Sequence, residues 1–138
     1  MRLRVVEHRG CPRPGPLAVG SPYARRVFVV SRERFEEFVA EAIDSIPEEL
    51  ATKVDNVAIL VEDDSVEGNL YGLYEGVPLT KRGYYSGAMP DRITIYQDAI
   101  CRSARSEEEV RRQVHDTVVH EIGHYFGIDD PRLRELGW

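Results

Sequence analysis

His120, Glu121 and His124 stand in the run His120-Glu121-Ile122-Gly123-His124, the pattern H-E-x-x-H. On a helix, four residues rise about 6 Å and turn just past one revolution, so both imidazoles leave the same side. That spacing lets two neutral nitrogen ligands meet one divalent cation at roughly 2.0–2.1 Å, and zinc suits such ligands best. Glu121 projects from the same side. It is placed to reach water beside the ion and to act as its general base.

The residues that follow extend the pattern to H-E-x-x-H-x-x-G-x-x-D, ending at Asp130. Gly127 permits a sharp reversal after the second histidine, and a residue three positions on can swing back as a third ligand. Asp130 is the favoured one, since a carboxylate is an acceptable zinc ligand. Asp129, one residue off the pattern, is its competitor. Three protein ligands leave a fourth position open, which is the condition for catalysis as opposed to a closed structural site. The bland alternative is a pair of histidines at the edge of a core, bonded to backbone. Helix capping, amphipathic register, Gly127 and Asp130 all favour the metal.

The element that must position these groups is a C-terminal helix. Ser106 and Glu109 form a capping box, and Glu107 and Glu108 suit the positive end of the helix dipole. Val110, Val114, Thr117, Val118, Glu121, Ile122 and Tyr125 fall within about 140° of arc at 100° per residue, with His120 and His124 at the edge of that face. The helix should end near Gly127. His115 falls outside the face and reads as a surface residue. Upstream, Ser31 is a candidate N-cap for a second amphipathic helix built on Phe35, Phe38, Val39, Ala42, Ile43 and Ile46 and stopped by Pro47. The runs 27–30, 57–61, 70–74 and 93–96 read as strands, with Gly72 weakening the third or marking a close backbone approach. Residues 9–22 hold four prolines and three glycines and read as irregular, and 75–91 reads as a loop.

At 138 residues the chain suits one domain, and its 42% hydrophobic and 30% charged composition is that of an ordinary globular protein. No apolar run approaches the roughly 20 residues of a membrane helix, and the first residues lack the apolar region of a signal peptide. A cytoplasmic location and no membrane partner are the expectation. Cys11 and Cys101 are the two cysteines, and a disulfide between them is not expected in a reducing compartment. The net charge is −6, yet residues 1–34 carry eight arginines against Glu7 and Glu33. That acidic total argues against nucleic acid as the main partner. The division expected is an Arg/Pro/Gly-rich arm over 1–26 and a domain over 27–138, the arm folding back or aiding solubility.

The motif and its surroundings resemble the small bacterial minimal zincins, zincin-like metallopeptidases with H-E-x-x-H-x-x-G-x-x-D. The resemblance extends to Phe35–Pro47, Asn56–Val61, Leu70–Leu79, Pro90–Tyr96, Thr117–Glu121 and Leu133–Trp138, so it covers roughly residues 30–138. It implies an α/β zincin core in which a mixed, mostly parallel sheet packs on two main helices, the second carrying the motif. It also implies zinc held by His120, His124 and Asp130, Glu121 as base, and a peptide or protein substrate that pairs with an antiparallel edge strand, expected at 70–74. Only eight residues follow Asp130. The subdomain that walls the far side of larger zincin clefts is therefore expected to be missing, as is a Met-turn, with Met89 a loop or packing residue and the cleft shallow. Tyr84, Tyr85, Tyr96 and Tyr125 are candidates by type for stabilising an oxyanion, though an ordinary surface or packing role is the commoner fate of each. Tyr71 and Tyr74 read as packing or cleft lining, and Trp138 as an anchor of the terminus. The alternative from another class is a metal-binding module with little peptidase activity that docks a protein partner.

Overall fold

Alternating apolar residues make β2 (Val57–Glu62), whose Val57, Ile59 and Val61 are buried on one face. The computed structural model describes residues 4–6, 29–78, 80 and 90–137 of the chain. Beside β2, in parallel, lies β4 (Asp91–Tyr96), with Ile59 opposite Ile93 and Val61 opposite Ile95. Runs this apolar suit the centre of a sheet covered by helices. On the far side of β4, β3 (Gly72–Glu75) runs antiparallel and forms an edge. The other edge is β1 (Arg4–Val6), parallel to β2, so the order is β1-β2-β4-β3.

Two helices cover the sheet. α1 (Arg32–Asp44) starts where the Ser31 hydroxyl accepts the Arg34 backbone N–H at 3.2 Å, and buries Phe35, Phe38, Val39, Ala42 and Ile43. Pro47 then opens the short α2 (Glu48–Ala51). α4 (Glu107–Tyr125) buries Val110, Val114, Thr117, Val118, Glu121, Ile122 and Tyr125, the stripe expected from the sequence. Its cap is Ser106, which accepts the Glu109 N–H, while the Glu109 carboxylate reaches one residue further back to the Arg105 N–H at 2.7 Å. α1 and α4 start side by side. Arg34 pairs with Glu107 at 2.8 Å, Arg111 with Glu41 at 3.2 Å, and both guanidinium groups lie over the Phe38 ring. α3 (Gln97–Ser103) follows β4 directly, and α5 (Asp130–Leu136) closes the described chain.

The strand expected at 27–30 does not form over its described part. Val29 is exposed, Val30 is buried, and neither is in the sheet; residues 27 and 28 lie outside the described residues. The edge of β2 such a strand would need is occupied by β1, so three residues of the expected N-terminal arm belong to the sheet. The Val30 carbonyl instead accepts the Gln97 side-chain N–H at 2.8 Å. Among the described residues no helix is long and apolar enough to cross a membrane.

Candidate metal centre

The C-terminal end of α4 is built to turn the chain back on itself. Gly127, at φ 80°, takes the left-handed conformation. Its N–H bonds the His124 carbonyl at 2.9 Å, and the Ile128 N–H bonds the Gly123 carbonyl at 3.0 Å. These two bonds are a Schellman closure, which glycine permits at no steric cost. Asp129 then caps α5 by accepting the Arg132 N–H at 3.1 Å. Leu133, fully buried, lies so close to Gly123 that a Cβ on that glycine would sit 2.5 Å from it. The missing side chain at Gly123 thus seats α5 against α4 and fixes where the first residue of α5, Asp130, points.

Asp130 points at the two histidines. Its Oδ1 is 2.9 Å from His120 Nε2 and 3.0 Å from His124 Nε2, and the three ligand atoms lie within 4.8 Å of one another. Tetrahedral bonds of 2.0–2.1 Å place neighbouring ligand atoms about 3.3 Å apart, so the two separations to Asp130 are within a few tenths of an ångström of that value, and the histidine pair, inside the 4.8 Å span, closes by small side-chain rotations. His124 Nδ1 is 3.1 Å from the Ile128 carbonyl. Donation there puts the proton on Nδ1 and leaves the Nε2 lone pair facing the cluster, as a metal-binding imidazole requires. The donor set fits the ion. Asp129, the competing ligand, is committed to capping α5 and is absent from the cluster.

Glu121 is set apart from these three. It is 7% exposed and lies against β3. Burial pushes its carboxyl above the ordinary carboxylate range, against the pull of the His124 and His120 imidazoles and of the Tyr74 backbone N–H, which it accepts. Proximity to β3 depends on Gly72, the close approach that glycine in a strand can mark. A Cβ there would meet Thr117 Cγ2 at 2.6 Å and Glu121 Cγ at 3.1 Å. Gly72→Ala is therefore expected to push α4 off the edge strand, costing about 1–3 kcal/mol by overpacking. Thermal melting checks the cost; an unchanged melting temperature would rule out the tight crossing.

Ligands and base open onto one cavity of about 1090 Å³, whose walls include Ile46, Pro47 and Leu50 as well as the β3 edge. Tyr71 and Tyr74 both line it, as expected of cleft lining, and the Tyr74 hydroxyl donates to Asp91 Oδ2 at 2.6 Å. Two oxyanion candidates are not in the cavity. Tyr125 is fully buried, its hydroxyl accepting the Asp55 N–H at 3.1 Å, and Tyr96 is buried where β4 ends. Tyr84, Tyr85, Met89 and Trp138 lie outside the described residues, as does Cys11; Cys101 is buried. Two features escaped the sequence reading: the Tyr74 N–H bond to Glu121 and the place of Asp116 on the cavity wall. Each depends on the register between β3 and α4, for which the sequence carries no signal beyond Gly72.

A helix bearing H-E-x-x-H lies beside an antiparallel edge strand, and a carboxylate returning from the next helix completes a group able to hold a metal ion. Residues 54–138 match the family described as zincin-like metallopeptidase, and the chain belongs to that family. No curated protein matches it. Among solved structures it is similar to a conserved hypothetical protein from Thermo thermophilus, at 22% identity and a TM-score of 0.49. That match covers 78% of this chain and 97% of the other.

Proposed function

We propose that the protein is a zinc-dependent peptidase that hydrolyses peptide bonds with Glu121 as general base. The observation that carries the reading is the buried Glu121 beside three converging ligand atoms, at the edge of an antiparallel strand. A purely structural site has no use for a buried carboxylate next to its ligands, and the charged form of Glu121 is costly to hold there.

His120, His124 and Asp130 would hold the ion. When bound, zinc supplies Lewis acidity, polarising a carbonyl and making water a competent nucleophile near neutral pH. Glu121 accepts the proton of the attacking water and returns it to the leaving amine. The Tyr74 N–H steadies the carboxylate for both transfers. The Tyr96 N–H bonds the Tyr71 carbonyl at 2.9 Å, so in antiparallel alternation Leu73 and Glu75 face β4 while the Gly72 backbone groups and the Tyr74 carbonyl point outward, the Tyr74 N–H being held by Glu121. An extended peptide would add to that outward edge, its backbone bonds giving affinity with little sequence selectivity. A cytoplasmic location is part of the same proposal, as is the absence of a nucleic-acid partner.

Zinc-loaded protein is expected to cleave an unstructured substrate such as casein, to stop on chelation and to recover when zinc returns. His120→Ala protein should contain no stoichiometric zinc and cleave nothing. Cleavage indifferent to chelator would reject the reading. Stoichiometric zinc without any cleavage would favour a metal-binding module that docks a partner instead.

A further inference from the structure

The cavity wall is anionic beyond what the reaction uses. Asp116 lies one helical turn before His120, on the same side of α4, and its side chain is 68% exposed within the cavity lining. It contacts its neighbour on the helix, His115 Nδ1, at 3.2 Å. Asp130 faces the two histidines and Glu121 is buried against β3, which leaves Asp116, whose neighbour His115 also lines the cavity, as the exposed carboxylate of the wall outside the proposed chemistry. Among the described residues no lysine or arginine lines the cavity, although the chain has 18 of them.

The same cavity also has an exposed aromatic in its wall. Gly72 packs on Thr117, and the residues that precede them, Tyr71 on the strand side and Asp116 on α4, both line the cavity. Tyr71 is 42% exposed. The Arg102 guanidinium is engaged by Asp64 at 2.7 Å and by the Gly68 carbonyl at 2.7 Å and does not line the cavity. An aromatic and a carboxylate in one cavity wall suit a side chain with an aliphatic stem and a cationic head.

Resting on the peptidase reading above, we propose that Asp116 and Tyr71 form a subsite for a lysine or arginine side chain of the substrate. One helical turn is about 5.4 Å and a strand advances about 3.3 Å per residue, so that side chain belongs about two residues from the scissile bond. The substrate class is an extended basic peptide, with acidic segments disfavoured.

The test scans a single lysine, norleucine or glutamate across the positions flanking the centre of one otherwise neutral peptide. Binding is read by fluorescence anisotropy on zinc-loaded Glu121→Gln protein, so the preference is measured whether or not the native chain cleaves. Lysine is expected to bind about two- to fivefold tighter than norleucine at one position near two residues from the centre, the size of a mostly exposed charged contact. Asp116→Asn should collapse that ratio toward one, and Asp116→Lys should turn the preference toward glutamate. Retained zinc and an unchanged melting curve show that each variant is folded. A lysine-to-norleucine ratio near one at every position, or a ratio unaltered by Asp116→Asn, overturns the subsite. Cleavage by the native protein without basic preference would overturn the subsite alone and leave the peptidase standing. Binding of none of the peptides would overturn both.

Discussion

Glu121→Gln protein is expected to retain zinc, to lose chelator-sensitive cleavage by a factor of about 10² to 10⁴, and to melt higher than the native chain when both are metal-free. The loss of rate is the ordinary contribution of a positioned general base. Retention of zinc follows because Glu121 is not among the three converging ligand atoms. The gain in stability follows from its surroundings. Burial raises the carboxyl above its ordinary value, so the native fold favours the neutral form. A group whose pKa is raised by folding contributes stability below its unfolded pKa and loses it as pH rises through the folded value. Metal-free native protein should thus lose stability above the ordinary carboxylate range, while the glutamine variant, neutral throughout, should not. Glutamine also keeps an oxygen for the Tyr74 N–H. In a domain of this size each kcal/mol moves the melting temperature by roughly 4 °C, so calorimetry at two pH values resolves the difference. Equal turnover in the two proteins would remove Glu121 from the chemistry. A difference in melting that persists unchanged in acid would remove burial of its charge as the cause.

The second large effect separates the neighbouring aspartates. Asp130→Ala is expected to weaken zinc by at least two orders of magnitude, since one of three ligands is lost while His124 keeps the Ile128 carbonyl. Asp129→Ala should instead cost about 1 kcal/mol of stability by removing the cap of α5, and should leave zinc bound at stoichiometric excess. A zinc-competition titration with a chromophoric chelator distinguishes the outcomes. The reverse ranking would mean that Asp129 is the returning ligand. The one-residue distinction is visible in the structure because Asp129 caps α5 through the Arg132 N–H while Asp130 faces both Nε2 atoms.

The sequence carried the positioning elements well where one periodicity ruled a long segment. α4 has the expected cap and the expected buried stripe, and α1 and β2 depart from expectation only at their ends. Short elements were illegible. α2 has four residues, α3 follows β4 without an intervening turn, and α5 owes its existence to the buried Leu133 more than to its own seven residues. β1 is three residues inside an arginine-rich stretch, and only its parallel pairing with β2 makes it a strand. That pairing is why Val29 and Val30, the better strand formers, lie outside the sheet. The ligand cluster was readable for the opposite reason, since every member lies on one helix or just beyond its Schellman closure. The environment of Glu121 and the exclusion of Tyr96 and Tyr125 from the cavity rest on tertiary packing.

Ten positions separate the first ligand from the last, while the groups that poise Glu121, Gly72 and Tyr74, lie on another strand some fifty residues upstream. Closing a loop that small costs little chain entropy, so ion capture needs almost none of the sheet, whereas tuning the base needs all of it. The three converging side chains are thus arranged by local structure, whereas the surroundings of Glu121 exist only where β3 packs on α4.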